Sequence, residues 1–156
     1  MLVDDFIEAI NEYRANPFNP SDMICVDESI SRWYGHGGHW INIGLPMYIA
    51  IDRKPENGCE IQNSCCGRSG IMMRLKLVKT AKEQLTHHVE DDETELLHGI
   101  RVLLFLTSPW YYTMRTVVGD SYFASAAAAE QLSLKRLGFI GVVKTATKRF
   151  PMKHLS

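Results

Sequence analysis

Two short stretches limit what this chain can fold into: Met23-Ile24-Cys25-Val26 and Arg115-Thr116-Val117-Val118. The first is apolar without polar alternation, which predicts a strand buried on both faces. The second is β-branched and closes on Gly119-Asp120. Strands of this kind need helical cover, so the expectation is a layered α/β domain with a sheet of mixed direction. Each run delivers acid at its end, Asp27 and Glu28 after the first and Asp120 after the second.

The other elements follow from periodicity. Val3, Phe6, Ile7 and Ile10 have the spacing of an amphipathic helix, stopped by Asn16-Pro17 and Asn19-Pro20. Gly35-His36-Gly37-Gly38-His39 reads as a loop, and Met47 to Ile51 as a second strand closed by a polar turn from Asp52 to Gly58. Met73, Leu75 and Leu77 alternate with basic residues, the pattern of a half-exposed strand. Residues 80 to 95 are polar and include an acidic cluster, Glu90 to Glu95. Periodicity leaves Leu96 to Leu106 open between a buried helix and a strand, with the helix favoured before Ser108-Pro109; Ala124 to Leu137 is read as a helix capped by Gly138, and Phe139 to Thr145 as the last strand.

With 156 residues the chain can form one domain burying roughly 70% of its unfolded surface. Its 17 Lys+Arg balance 18 Asp+Glu, for a net charge of -1, so a nucleic-acid or membrane partner has to be argued from local residues. No apolar run approaches the roughly 20 residues of a bilayer span, and Met1-Leu2-Val3-Asp4-Asp5 lacks a signal-peptide pattern. Four cysteines, two of them adjacent at Cys65 and Cys66, fit reduced thiols better than a disulfide framework. The expectation is an intracellular protein, nuclear or cytoplasmic, without a membrane partner.

Asp27 and Asp120 meet only if their strands are neighbours. Brought together, two carboxylates hold a hard divalent cation such as Mg²⁺, completed by water and substrate phosphate. The alternative is that each Asp simply starts a turn. His36, His39, Cys59, Cys65 and Cys66 offer zinc ligands on paper, but their spacing matches no common framework. His87, His88 and His98 have no adjacent nucleophile, and no Gly-Lys-Ser/Thr follows the glycines at 35, 37 and 38, which excludes a P-loop. Lys144, Lys148, Arg149, Lys153 and His154, with Phe150 among them, could follow a nucleic-acid backbone or form a solvated tail.

Four ordered blocks carry a family resemblance: Val26-Asp27-Glu28-Ser29, Gly44-Leu45-Pro46, Gly119-Asp120-Ser121-Tyr122-Phe123-Ala124-Ser125, and Phe139-Ile140-Gly141-Val142-Val143-Lys144-Thr145. Together they resemble the catalytic domain of piggyBac-type transposases, from about residue 20 onward. The resemblance implies an RNase H-like mixed sheet flanked by helices, incomplete at its C-terminal end, with residues 1-19 a remnant of an upstream helix or linker. It implies a DNA-cutting and DNA-joining ancestry, with Asp27 and Asp120 as the first two of three Mg²⁺-binding catalytic acids. It also implies DNA as a partner, together with a full-length transposase or a second copy of the chain. The family's third acid has no counterpart, because the only acidic residue after Asp120 is Glu130. The expectation is therefore a catalytically dead fragment, the alternative being a domesticated DNA- or protein-binding module.

Overall fold

The computed structural model describes residues 3–15, 17–32, 49–50, 57–78 and 97–144. Helix α1 (Val3–Ala15) opens the chain with Asp4 and Asp5 in its first turn and Arg14 in its last, which complements the helix dipole. Strands β1 (Met23–Arg32), β2 (Ile49–Ala50), β3 (Asn57–Cys66) and β4 (Met72–Leu77) follow. Helix α2 (His98–Thr107) runs into a 3₁₀ turn over Ser108–Trp110, and β5 (Thr116–Gly119), α3 (Ala126–Leu134) and β6 (Gly138–Gly141) complete the order.

These strands form one sheet in the order β2-β3-β1-β5-β6, with β4 beside β2 on the outer edge of β3. β3 runs antiparallel to β1, β2 and β4, whereas β5 pairs with β1 and β6 with β5 in parallel. A parallel pair requires a crossover, and α2 and α3 lie in the two crossovers.

One face of this sheet packs on helix. Ile100, Val102, Leu103, Leu104 and Leu106 of α2 are buried with Val26, Val117, Phe123, Ala128, Leu132 and Leu137. A helix this apolar around its circumference belongs in a core, as α2 is. Ser64, fully buried on β3, donates its hydroxyl to the Leu106 carbonyl at 3.0 Å and so fastens sheet to helix without an unpaired polar group. The Arg74 guanidinium of β4 stands 4.1 Å from the centre of the Phe105 ring, a cation–π contact with the same helix.

α1 does a different job from the one its apolar spacing suggests. No residue of α1 is buried, and Val3 and Phe6 are exposed. The helix lies along the edge strand β4, where the Asn11 amide accepts from the Leu75 N–H at 2.8 Å and donates to the Leu75 carbonyl at 2.9 Å. Arg14 donates to the Met72 carbonyl further along. The side chains thus replace a missing strand and close an edge that would otherwise invite pairing with another chain.

Four sequence expectations need correction. β1 continues past Asp27 to Arg32, because β3 pairs with it along its whole length, so Asp27 lies within the strand. Residues 57–66, expected in part as a turn, form the long strand β3; its polar Gln62, Asn63 and Ser64 hide the signal because their partners are non-local. Gly138 opens β6 instead of capping a helix. α3 ends at Leu134, and the chain reverses through Arg136 in the left-handed region at φ 55°. Cys25 is half-buried, not enclosed, since α2 and α3 cover only the face of β1 that carries Ile24 and Val26. The loop expected at 35–39 and the acidic cluster at 90–95 lie outside the described residues.

Candidate active site

β1 and β5 pair in parallel from Met23↔Thr116 to Val26↔Gly119. The next residues are Asp27 and Asp120, so the register carries the two carboxylates out side by side where the pairing stops. Two groups of contacts fix that register. Thr116 N–H donates to the Asp22 carbonyl at 2.8 Å, and the Arg115 guanidinium donates to the carbonyls of Pro20 and Ser21, each at 3.1 Å. Both acids are exposed.

Each carboxylate is oriented by its own backbone. Asp27 Oδ1 accepts from the Glu28 N–H at 2.9 Å, and Asp120 Oδ1 accepts from the Tyr122 N–H at 2.8 Å. The second bond shapes the turn that leads through buried Phe123 to Ser125, whose hydroxyl accepts from Ala128 N–H at 3.0 Å and caps α3. Gly119 is needed here for space: a Cβ would stand 3.2 Å from Phe123 Cβ and 3.5 Å from the Phe139 ring. The glycine lets Phe123 plug the core directly beneath Asp120.

A third carboxylate joins the pair. Glu28 is half-buried, and its carboxyl is pushed up to about 7 by burial first, then by the charges of Asp120 and Asp27. Alternation puts Glu28 on the Val26 face of β1, where Gln62 is its register partner and Ile30 pairs with Glu60. Burial raises the Glu60 carboxyl too. Burial first, then the charges of Glu28 and Glu60, push the Tyr122 hydroxyl up. The Tyr122 ring packs beside Gly99 in the first turn of α2, where a Cβ would stand at ordinary contact distance, 3.7 Å. Sequence reading placed Glu28 beside Asp27 without giving it a role. Glu60 and Tyr122 were missed because β3 was not recognised as a strand.

The donor set suits a hard cation. Asp27 and Asp120 present carboxylate oxygens to solvent, and after burial their charges are the next causes that push the Glu28 carboxyl up. The described residues contain no cluster of three or more His, Cys, Asp or Glu arranged as a metal cage. A cation here would accordingly be held by two carboxylates, with water and substrate supplying the rest. The zinc reading finds no support among the described residues: His36 and His39 lie outside them, and Cys65 and Cys66 point to opposite faces of β3. Lys144 is exposed beyond β6, whereas Lys148 and Arg149 lie outside the described residues. A shallow cavity of about 420 Å³ lined by Met114, Arg136 and Gly138 opens at the other end of β5 and β6 and takes no part in the acidic site.

An antiparallel β4-β3-β1 unit continued by parallel β5 and β6, with helices packed on the sheet, is an RNase H-like nuclease fold. The sequence pattern of the family described as Transposase IS4 matches residues 2–156, and the chain belongs to this transposase family. Among solved structures it is similar to the piggyBac transposase in a synaptic complex with hairpin DNA, with a TM-score of 0.72 at 18% identity over 98% of this chain. The chain spans 28% of the length of that transposase chain. Comparison with curated proteins finds no match. Among the described residues no helix is long and apolar enough to cross a membrane.

Proposed function

We propose that this chain is a partial catalytic domain of a piggyBac-type DNA transposase, in which Asp27 and Asp120 hold Mg²⁺ against DNA phosphate. The observation that carries the reading is the parallel β1/β5 register ending at Val26 and Gly119, which sets the two acids side by side. The cation, when bound, would activate the attacking oxygen and stabilise the leaving one in phosphodiester chemistry. The protein's own residues orient and tune the site. Backbone N–H groups fix both carboxylates. Glu28, taking up a proton near neutrality, removes its own repulsion with both of them.

The described residues hold only part of a two-metal constellation. Glu130, the single acid among residues 121–156, is exposed on α3 and separated from the Asp120 turn by the start of that helix. The described residues supply no third carboxylate ligand to the pair, and on these two acids alone a cation is held weakly, which is the basis for proposing that the chain does not cut. Mispositioning by about 1 Å costs on the order of 10²-fold in rate, so an incomplete shell is enough to silence the chemistry. Mn²⁺ binding followed by electron paramagnetic resonance tests the site, with weak binding expected in the parent and none in Asp27→Asn or Asp120→Asn. Mn²⁺ binding unaffected by both substitutions would refute the assignment, and Asp27-dependent nicking of transposon-end DNA would refute inactivity.

A second reading, a binding module without catalysis, is favoured by exposed Lys144 at the start of the basic C-terminal stretch. It requires a salt-dependent gel shift that disappears when Lys144, Lys148 and Arg149 are changed to Ala.

A further inference from the structure

Cys25 on β1 and Cys65 on β3 are direct register partners, and burial, then the neighbouring Cys25, push the Cys65 thiol up. Both residues are half-buried, on the sheet face that α2 and α3 leave free. The other two cysteines are placed differently. Cys66 points to the opposite face, is 3% exposed, and contacts the Ser21 N–H and hydroxyl, each at 3.4 Å. Cys59 lies towards the other end of β3, opposite Ser31.

The kind of pairing matters for what the two thiols can do. Gly67 N–H donates to the Met23 carbonyl at 2.9 Å, one rung before Ile24↔Cys66, while Cys66 turns its own N–H and carbonyl to Ile71 and Gly70. Alternation then makes Cys25↔Cys65 a hydrogen-bonded rung, with Cα atoms about 5.5 Å apart. That separation lies within disulfide reach, but the Cβ atoms must close to about 3.8 Å, so the bond is formed under strain and is readily reduced.

We propose that Cys25 and Cys65, half-buried on the sheet face opposite Val26 and Ser64, form a dithiol exchange site that is oxidised by low-molecular-weight disulfides. One protein thiolate attacks the small disulfide and forms a mixed disulfide, releasing one thiolate that takes up the proton. The second protein sulfur then attacks the mixed disulfide at the protein sulfur, closing Cys25–Cys65 and releasing the second small thiol. The protein loses two protons and two electrons, and the small disulfide gains them. The new bond sits on the same face as the Asp27↔Asn63 rung two residues along, so oxidation ties β1 to β3 immediately before the acidic site.

The test treats the reduced, folded chain with oxidised glutathione at neutral pH, traps remaining thiols by alkylation and maps the products by mass spectrometry. The expected result is loss of two hydrogens from the intact mass, with Cys25 linked to Cys65, and recovery on adding a thiol reductant. Cys25→Ser and Cys65→Ser each leave only a glutathione adduct on the remaining partner, whereas Cys66→Ser and Cys59→Ser still close the bond. A product that joins Cys66 or Cys59, or the same mixture of pairings from native and guanidinium-unfolded chain, would overturn the proposal. So would native wild-type chain that retains all four thiols, a measurement that does not depend on any variant folding.

Discussion

Replacing Asn11 by Ala separates two opposite expectations for helix α1. On a solvated helix the change is stabilising by up to about 0.7 kcal/mol, because Ala is the better helix former. In this structure the Asn11 amide makes two hydrogen bonds to the backbone of Leu75, at 2.8 and 2.9 Å, and both groups of Leu75 lose their partner when the amide is removed. At about 0.5–1.5 kcal/mol each, the loss is about 1–3 kcal/mol. Setting the propensity gain against it leaves a net destabilisation of about 1–2 kcal/mol. The contact outweighs the propensity, and the sign of the effect reports which view of α1 is right. Urea unfolding of parent and Asn11→Ala chains measures the difference, and hydrogen exchange locates it, with the Leu75 amide losing protection first. Glu12→Ala, on an exposed position of the same helix, serves as control and is expected to be neutral or slightly stabilising. An Asn11→Ala chain as stable as the parent, with Leu75 still protected, would show that α1 does not close the edge of β4.

Glu28 makes stability depend on pH. Its folded value of about 7 exceeds the ordinary 4.5, so the stability it contributes is complete below 4.5 and is lost as pH rises through about 7. Glu28→Gln removes that loss: the variant should match the parent near pH 4 and exceed it by about 1 kcal/mol at pH 8, after allowance for solvent screening of a half-exposed side chain; a pH-independent difference in unfolding midpoint would contradict the charge coupling. Gly141→Val should destabilise by about 1–3 kcal/mol through overpacking, since even a Cβ would stand 2.8 Å from Ala124 Cβ and 2.9 Å from the Phe139 ring; thermal melting reads the loss. Leu103→Ala, fully buried in α2, should cost about 2–5 kcal/mol in denaturant unfolding, and a cost below about 1 kcal/mol would mean that α2 is not the core helix.

Local chemistry made much of this protein readable from its sequence. Asn16-Pro17 stops α1, the alternation of Met73, Leu75 and Leu77 marks β4, and the continuous apolar run before Ser108-Pro109 marks α2. Asp27 and Asp120 stood out because each follows a β-prone run. What the sequence could not specify is which strands are neighbours, since pairing joins residues far apart in the chain and is selected by burial of whole faces. Strand β3 shows this most clearly. Its buried Asn63 and Ser64 are stable only because Ser29 and the Leu106 carbonyl meet them, partners that no local pattern reveals. The same non-local pairing puts Asp120 beside Asp27, adds their charges to the burial that raises Glu28, and sets Cys25 against Cys65. Local patterns in the sequence marked most of the elements and picked out Asp27 and Asp120; the tertiary structure decided that the two lie side by side, because only strand register converts separation along the chain into proximity in space.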